Sequence, residues 1–395
     1  MQKWQLHRRI AMHTIKVIGV SPDRMVLGFM LATSLLSMWI SNTATAMMML
    51  PIALAVISEV DQLRSAGEGG SDAGAEIKSN FAICLMLGIA YAASIGGVAT
   101  LIGTPPNAIL AGMVEQIYGL TITFAGWLAF GLPLSITMFI ITWYYLTRIA
   151  YPLNQKAAPG IGQVISTELA RLGPISRQER WVMAVFLLVS GAWILRGLIN
   201  VPALSLVSDA SIAMAGALLL FVIPSDMTKR EFLLDWKTAA SIPWDIIILF
   251  GGGFALAQGF IDSGLSLWIA DQMATLEGTS MITMIGVVTL IVIFLTEITS
   301  NTATATIMIP VLGALSIAMG LHPYSLMVPA AVAASFAFML PVATPPNAII
   351  FSSRTVTIPQ MAKAGFWLNI IAVALISLFV LLLLPLLWGI DLAVI

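Results

Sequence analysis

The chain has 395 residues, of which 59% are hydrophobic and 9% charged, and its mean hydropathy is +0.97. Ordinary soluble domains carry roughly a quarter charged residues, so this composition excludes a soluble globular protein and indicates a multi-pass membrane protein. The net charge of −1 provides no basic surface for nucleic acid, and a single cysteine, Cys84, excludes a disulfide framework.

Residues 1–20 are predicted to form an interfacial amphipathic helix. The segment is basic, and it has no apolar core of the kind that a cleavable signal peptide needs. We expect its apolar side to lie on the membrane and most of its basic side chains to face water and lipid headgroups.

Two apolar segments follow, at 22–40 and 44–60, and the polar triplet Ser41, Asn42 and Thr43 separates them. An apolar helix that crosses a bilayer needs about 20 residues. We predict that the two segments form a helical hairpin that enters and leaves the membrane on one side. The triplet would then lie at the tip of the hairpin.

The hydrophilic insert 61–79 is predicted to be a loop. After it, the sequence GTPPNAIL at 103–110 interrupts a second apolar stretch. Consecutive prolines remove backbone N–H groups and disfavour helix in the residue before them. We therefore predict a broken helix here, with the carbonyl of Gly103 free to bind an ion.

Further apolar runs of spanning length follow along the chain, and the charged segment 153–180 between two of them is predicted to be a cytoplasmic linker. The runs lie at 124–147, 181–199, 209–224, 243–270, 281–299, 325–341 and 364–390.

The second half of the chain repeats both polar motifs in the same order. SNTATAMMMLP at 41–51 returns as SNTATATIMIP at 300–310, and ATPPNAII at 343–350 matches the earlier GTPPNAIL. The two motifs are 19 residues further apart in the first copy, which is the length of the insert 61–79. A second hairpin, 281–299 with 303–319, is predicted from this repeat.

The distribution of charge predicts that the two copies are inverted. If the N-terminus is cytoplasmic and both hairpins return to the side from which they enter, every Lys and Arg except Arg196 lies on the cytoplasmic side. The connection after the first hairpin is charged, whereas GLHPYS at 320–325 has no Lys or Arg and is therefore expected to be external. We predict a first repeat at 21–152 and an inverted second repeat at 181–395, an architecture typical of secondary transporters.

The two triplets provide hydroxyl and amide groups but no positive charge. Helix N-termini at hairpin tips attract anions, and the oxygen atoms of the same residues suit Na⁺. A dianion would lack a compensating charge unless cations travelled with it, which favours cation-coupled symport. Glu297, inside an apolar segment, is either a functional group or a structural anchor, and the glycines at 251–253 are expected to permit close helix packing.

These paired motifs resemble the signatures of the divalent anion/sodium symporter family, which includes bacterial sodium-coupled dicarboxylate and citrate transporters. The resemblance implies an all-α membrane protein, an inverted-repeat transporter with two re-entrant helical hairpins and broken helices at the midplane. It also implies Na⁺ as the co-transported ion, a homodimer in the inner membrane, and an elevator-like shift of a transport domain against a scaffold domain.

Carried over by motif, the resemblance assigns residues to one substrate site and two sodium sites. The substrate contacts would be Ser41, Asn42, Thr43, Thr104, Ser300, Asn301, Thr302, Thr344 and Pro345. The first sodium site would use Ser37, Ser41, Asn42 and Gly103, and the second Thr296, Thr299, Asn301 and Ala343. Ser37 and Thr296 each lie one helical turn before a triplet, which suits a hydroxyl ligand.

The sequence departs from the family pattern before the first triplet. Three predicted helices (181–199, 209–224 and 243–270) precede the second triplet, and none corresponds to them in the first copy. We therefore expect the first repeat to lack its leading helices, through truncation or through loss in the lineage.

We predict a sodium-coupled symporter of small dicarboxylates or tricarboxylates such as succinate, malate, fumarate or citrate. The alternatives are a symporter of sulfate or another inorganic dianion, a sodium-independent dicarboxylate exchanger, and a channel or receptor on a transporter scaffold. An enzyme is not expected, because the sequence has no intramembrane His, Asp and Glu cluster with metal spacing and no nucleophile with a base.

Overall fold

The computed structural model describes residues 1–19, 21–67, 72–153, 161–198, 207–226, 231–242, 244–265, 268 and 280–394. The first half contains α1 (Leu6–Ile18), α2 (Pro22–Ser37), α3 (Asn42–Gly67), α4 (Asp72–Val98), α5 (Pro105–Tyr118) and α6 (Phe124–Tyr144) with a π-helical extension (Tyr145–Ala150). The second half contains α7 (Ile161–Arg171), α8 (Arg177–Leu198), α9 (Asp209–Val222), the antiparallel strands β1 (Pro224–Asp226) and β2 (Glu231–Phe232), α10 (Trp236–Ala239), α11 (Trp244–Asp262), α12 (Met281–Ile298), α13 (Asn301–Ala318), α14 (Tyr324–Ser335), α15 (Pro345–Ser352) and α16 (Ile358–Trp388).

The predicted all-α membrane architecture is confirmed. Among the described residues, seven helices are long and apolar enough to cross a membrane. They belong to the segments of α3, α4, α6, α8, α12, α13 and α16.

Each polar triplet lies where one helix ends and the next begins. The two junctions separate α2 from α3 and α12 from α13. Ser41 and Ser300 act as helix caps, because their side-chain oxygens accept the backbone N–H three residues later, at 3.3 and 3.1 Å. The cap function thus belongs to the serine, and the neighbouring amide and hydroxyl groups remain free for other contacts.

The TPPN motifs begin helices after irregular stretches, as predicted. Residues 99–104 and 336–344 are not helical, Thr104 and Thr344 are the N-cap residues, and prolines occupy the first turns of α5 and α15. The predictions that 209–224 and 325–341 form helices of spanning length are wrong, since α9 has 14 residues and α14 ends at Ser335. Pro341 and the following motif disfavour helix after Ser335 although the segment is apolar.

The predicted loop at 61–79 is also wrong at both ends. Helix α3 continues to Gly67 and α4 begins at Asp72, while residues 68–71 lie outside the described residues. The insert is hydrophilic but contains Ala, Glu, Leu and Lys, which favour helix. Polarity therefore did not predict irregular structure in this segment.

The two copies pack against each other reciprocally. Helix α5, which follows the first break, contacts α13 and α14 of the second copy, and α15, which follows the second break, contacts α3 and α4 of the first. Helices α6 and α16 are also in contact. The helix after each break therefore packs on the opposite copy, so the contacts of α2 to α6 correspond to those of α12 to α16.

The N-terminal helix α1 packs against α2 and α7. Its buried residues are Leu6, Ala11, Met12 and Ile15. Arg8 Nη2 lies 2.5 Å from Glu168 Oε2, and Arg9 Nε lies 2.7 Å from Glu179 Oε1. These two arginines therefore depart from the expected orientation toward water and headgroups, because they bind carboxylates of α7 and α8.

One of the three consecutive glycines in α11 has the expected packing role. A Cβ atom at Gly253 would lie 2.3 Å from Thr306 Cγ2 on α13, so the two helices approach closely at this point. Gly251 and Gly252 have no atom within 4 Å of the corresponding position.

Candidate functional site

A cluster of oxygen atoms lies beneath the first triplet. The fully buried Ser37 places its Oγ within hydrogen-bond distance of two acceptors, Asn42 Oδ1 and the Ala93 carbonyl, the latter at 2.7 Å. A Cβ atom at Gly97 would lie 2.8 Å from Asn42 Oδ1 and 3.1 Å from the Gly103 carbonyl. The absence of a side chain at Gly97 therefore leaves a small cradle between these two oxygens.

The second triplet has the same arrangement. The fully buried Thr296 places its Oγ1 2.9 Å from Asn301 Oδ1 and 3.1 Å from the Ala334 carbonyl. The structure thus brings two members of each predicted sodium site into direct contact, beside a helical carbonyl that sequence reasoning did not identify. The other two predicted members of the second site are Thr299 and Ala343. Thr299 donates to the Leu295 carbonyl of its own helix turn at 2.9 Å, and Ala343 is buried.

Each cluster contains more acceptor oxygens than hydroxyl protons. A Ser or Thr hydroxyl donates one proton, yet each of these hydroxyls faces two acceptor oxygens. One oxygen pair in each cluster is therefore left without a proton between its members. A hard cation such as Na⁺ fits this donor set, because it binds neutral oxygens at close range.

The asparagines of the TPPN motifs hold the irregular stretches in place. Asn107 Nδ2 donates to the Thr100 carbonyl at 2.8 Å, and Asn347 Nδ2 donates to the Leu340 carbonyl at 3.0 Å. Both asparagines are fully buried. Since each accepting residue lies four positions before the TPPN threonine, the two breaks have the same local support.

The predicted substrate residues lie on both copies, and one contact joins Thr104 in the first break to the end of α14 in the second copy. Thr104 Oγ1 and Ser335 Oγ are buried and 3.4 Å apart. In the second motif Thr344 is buried and accepts the Asn347 N–H at 3.2 Å, whereas Pro345 is exposed.

The triplets themselves are accessible. Ser41 and Ser300 are exposed, and the remaining triplet residues are half-buried. These half-buried residues are Asn42, Thr43, Asn301 and Thr302. Polar groups that a guest molecule could reach therefore surround each helix start.

A cavity of about 520 Å³ opens beside Ser41. Its walls come from α8 and α9 together with residues 1–4, 39–41, 102, 233–234 and 238, and they include the aromatic residues Trp39, Phe186 and Trp193. Trp39 packs edge-on against Phe186 with ring centroids 4.8 Å apart. The first triplet is therefore accessible from a largely apolar space between the end of α2 and helices α8 and α9.

Sequence reasoning missed several residues that support the site. They are Ala93, Gly97, Asn107, Ala334, Ser335 and Asn347. A signal for part of this set was available, because the tripeptide Ala-Ala-Ser occurs at 92–94 and 333–335, in each case shortly before a TPPN motif, whereas its third occurrence at 239–241 precedes none.

Comparison with known proteins identifies the family. Residues 1–395 match the family described as the sodium:sulfate symporter transmembrane region. The sodium-dependent dicarboxylate transporters SdcS of Staphylococcus saprophyticus and Staphylococcus aureus are 45% identical to this chain over 394 residues, which is 99% of this chain and 75% of each relative. The family and these relatives are transporters and not enzymes. The protein is therefore a multi-pass integral membrane protein that belongs to the sodium:sulfate symporter family, as the paired motifs had predicted.

Proposed function

We propose that this protein is a secondary active transporter that couples sodium to the uptake of small dicarboxylates or tricarboxylates of the succinate, malate, fumarate or citrate type. The relatives at 45% identity are named sodium-dependent dicarboxylate transporters. The observation that carries the proposal is the pair of matching oxygen clusters around Ser37 and Thr296.

In this proposal the two clusters bind the sodium ions. Ser37, Ser41, Asn42 and Gly103 would hold one ion, and Thr296, Thr299, Asn301 and Ala343 would hold the other. A carboxylate dianion would bind between the triplets and the TPPN threonines, where helix N-termini and hydroxyl groups favour negative charge. Sodium would supply the positive charge that these motifs lack.

We further propose that the chain is an inverted repeat in which both hairpins are re-entrant and the broken helices meet at the midplane of a bacterial-type inner membrane. The reciprocal packing of α5 and α15 on the opposite copy supports this arrangement. The first repeat would cover 21–152, the linker 153–180 and the second repeat 181–395.

The proposed transport mechanism is an elevator-like shift in a homodimer. Helices α2 to α6 and α12 to α16 would form the moving domain, and α8, α9 and α11 would belong to the scaffold. The close contact between Gly253 of α11 and Thr306 of α13 would then lie on the sliding interface.

The direct test is uptake of labelled succinate into proteoliposomes that contain the purified protein, with and without an inward sodium gradient. We expect uptake that requires sodium and is inhibited by unlabelled dicarboxylates. Sodium-independent uptake that requires internal dicarboxylate would instead identify an exchanger. That outcome would overturn the symport assignment, and an absence of uptake for succinate, malate, fumarate and citrate alike would overturn the proposed substrate class.

Sulfate is the second candidate substrate, because the matched family is described as sodium:sulfate symporters. A tetrahedral inorganic dianion could bind at the same helix N-termini. The same proteoliposomes distinguish the two candidates. We expect no sodium-dependent uptake of labelled sulfate, and we expect excess unlabelled sulfate to leave succinate uptake unchanged.

A further inference from the structure

Glu297 has an arrangement that the symport proposal does not use. The residue lies in the last turn of α12, and 2% of it is exposed. Its Oε1 accepts the backbone N–H groups of Phe338 and Met339 at 2.7 and 2.9 Å and Asn369 Nδ2 at 2.8 Å, and its Oε2 accepts the Leu340 N–H at 2.9 Å. One carboxylate therefore holds three consecutive N–H groups of the broken stretch 336–344.

The first copy makes the corresponding connection without a charge. Thr100 Oγ1 in the first broken stretch donates to the Met38 carbonyl at 2.6 Å. Met38 follows Ser37 as Glu297 follows Thr296. Both copies thus attach the broken stretch to the residue after the buried hydroxyl, but only the second copy uses an ionisable side chain there.

The contacts of Glu297 fit an ionised carboxylate. All four partners are N–H donors, and an ionised carboxylate accepts such donors at both of its oxygens. None of the ion pairs found among the described residues includes Glu297. The side chain therefore contributes negative charge beside the oxygen cluster of Thr296 and Asn301. None of the basic residues in those ion pairs neutralises it.

We propose that Glu297 is a positioning residue that makes the second sodium site bind more tightly than the first, so that the second site fills first. The inference rests on the proposed function. Its charge attracts a cation at the adjacent cluster, since charges interact strongly where water is excluded. Its hydrogen bonds also fix residues 338–340 of the broken stretch that follows α14.

The experiment measures sodium binding and sodium-driven uptake for Glu297→Gln and Glu297→Asp. Binding is followed without substrate, as the rise in melting temperature of the purified protein with increasing sodium. We expect Glu297→Gln to raise the sodium concentration for half-maximal stabilisation and for half-maximal uptake by about tenfold. Glu297→Asp, which keeps the charge, is expected to remain close to the wild type.

Two further variants separate charge from structure. Asn369→Leu removes one hydrogen bond but keeps the carboxylate, so it should lower the melting temperature and leave the sodium response unchanged. Met38→Gln is the matched neutral change in the first copy and should also leave that response unchanged. A merely structural role would move the melting temperatures without moving the sodium concentrations.

A folded Glu297→Gln protein with the wild-type sodium response would overturn the inference and leave the symport proposal intact. Sodium-independent uptake by the wild type would instead remove the proposed function. If Glu297→Gln does not fold, Ser37→Ala and Thr296→Val decide the question, because each removes one ligand from one site. We expect Thr296→Val to remove the rise in melting temperature at low sodium concentration and Ser37→Ala to retain it, and equal losses in the two variants would overturn the inference.

Discussion

At the scale of single residues, the buried hydroxyls of Ser37 and Thr296 do not cap a helix. Each faces an asparagine side-chain oxygen and a backbone carbonyl instead. Thr296→Val keeps the shape of the side chain but removes the oxygen, and Ser37→Ala does so in the first copy. Loss of one ligand should raise the sodium concentration for half-maximal uptake by about 5- to 150-fold, because an unsatisfied buried polar group costs about 1–3 kcal/mol. Uptake measured across a series of sodium concentrations checks this expectation.

Helix α12 offers a matched control for this change. Thr289 is also fully buried, but its hydroxyl donates only to the Ile285 carbonyl of its own helix, at 2.6 Å. Thr289→Val should therefore leave the sodium response unchanged. If Thr289→Val and Thr296→Val behaved alike, the effect would be a general consequence of altering a buried threonine.

At the scale of elements, the pair of Arg9 and Glu179 joins α1 to the start of α8. The side chains are only 12% and 5% exposed, and Glu179 Oε2 also accepts the Ser176 N–H at 2.7 Å. Glu179→Ala would leave Arg9 without this partner and remove a helix cap. We expect the free energy of unfolding to fall by about 2 kcal/mol, which should appear as a lower melting temperature in detergent.

The exposed pair of Arg171 and Glu168 provides the comparison. The Arg171 side chain is 72% exposed, and such surface pairs contribute less than about 1 kcal/mol. Arg171→Ala should therefore melt close to the wild type. Equal melting temperatures for the two variants would mean that the contact of α1 with α8 does not contribute to stability.

At the scale of the whole molecule, the elevator proposal predicts which helices must move apart. Cysteines at Gly253 and Thr306 would have Cβ atoms about 3.5 Å apart and would link α11 to α13. In a Cys84→Ala background, oxidation of this pair should stop sodium-driven uptake, and a reductant should restore it. The physical reason is that the disulfide fixes a contact that the proposed motion has to break.

A second pair tests whether cross-linking alone is harmful. Cysteines at Val189 and Gly216 would have Cβ atoms about 3.7 Å apart and would join α8 to α9, both in the proposed scaffold. Oxidation of that pair should leave uptake unchanged. Full uptake by the oxidised Gly253→Cys, Thr306→Cys protein would contradict a shift between α11 and α13.

The sequence alone determined the features that depend on neighbouring residues. High hydropathy indicated the membrane, Pro-Pro after Thr104 and Thr344 predicted where helices restart, and the repeated motifs led to the correct family. These predictions succeeded because proline geometry and hydrophobic length act within a few residues.

Only the tertiary structure decided which partners the polar groups have. Arg8 and Arg9 bind carboxylates about 160 to 170 residues away, and the Glu297 carboxylate binds backbone N–H groups about 40 residues away. The carbonyls of Ala93 and Ala334 belong to residues whose side chains carry no chemical signal. A buried polar group must find a partner wherever the fold brings one, so its role follows from three-dimensional packing and not from its position in the chain.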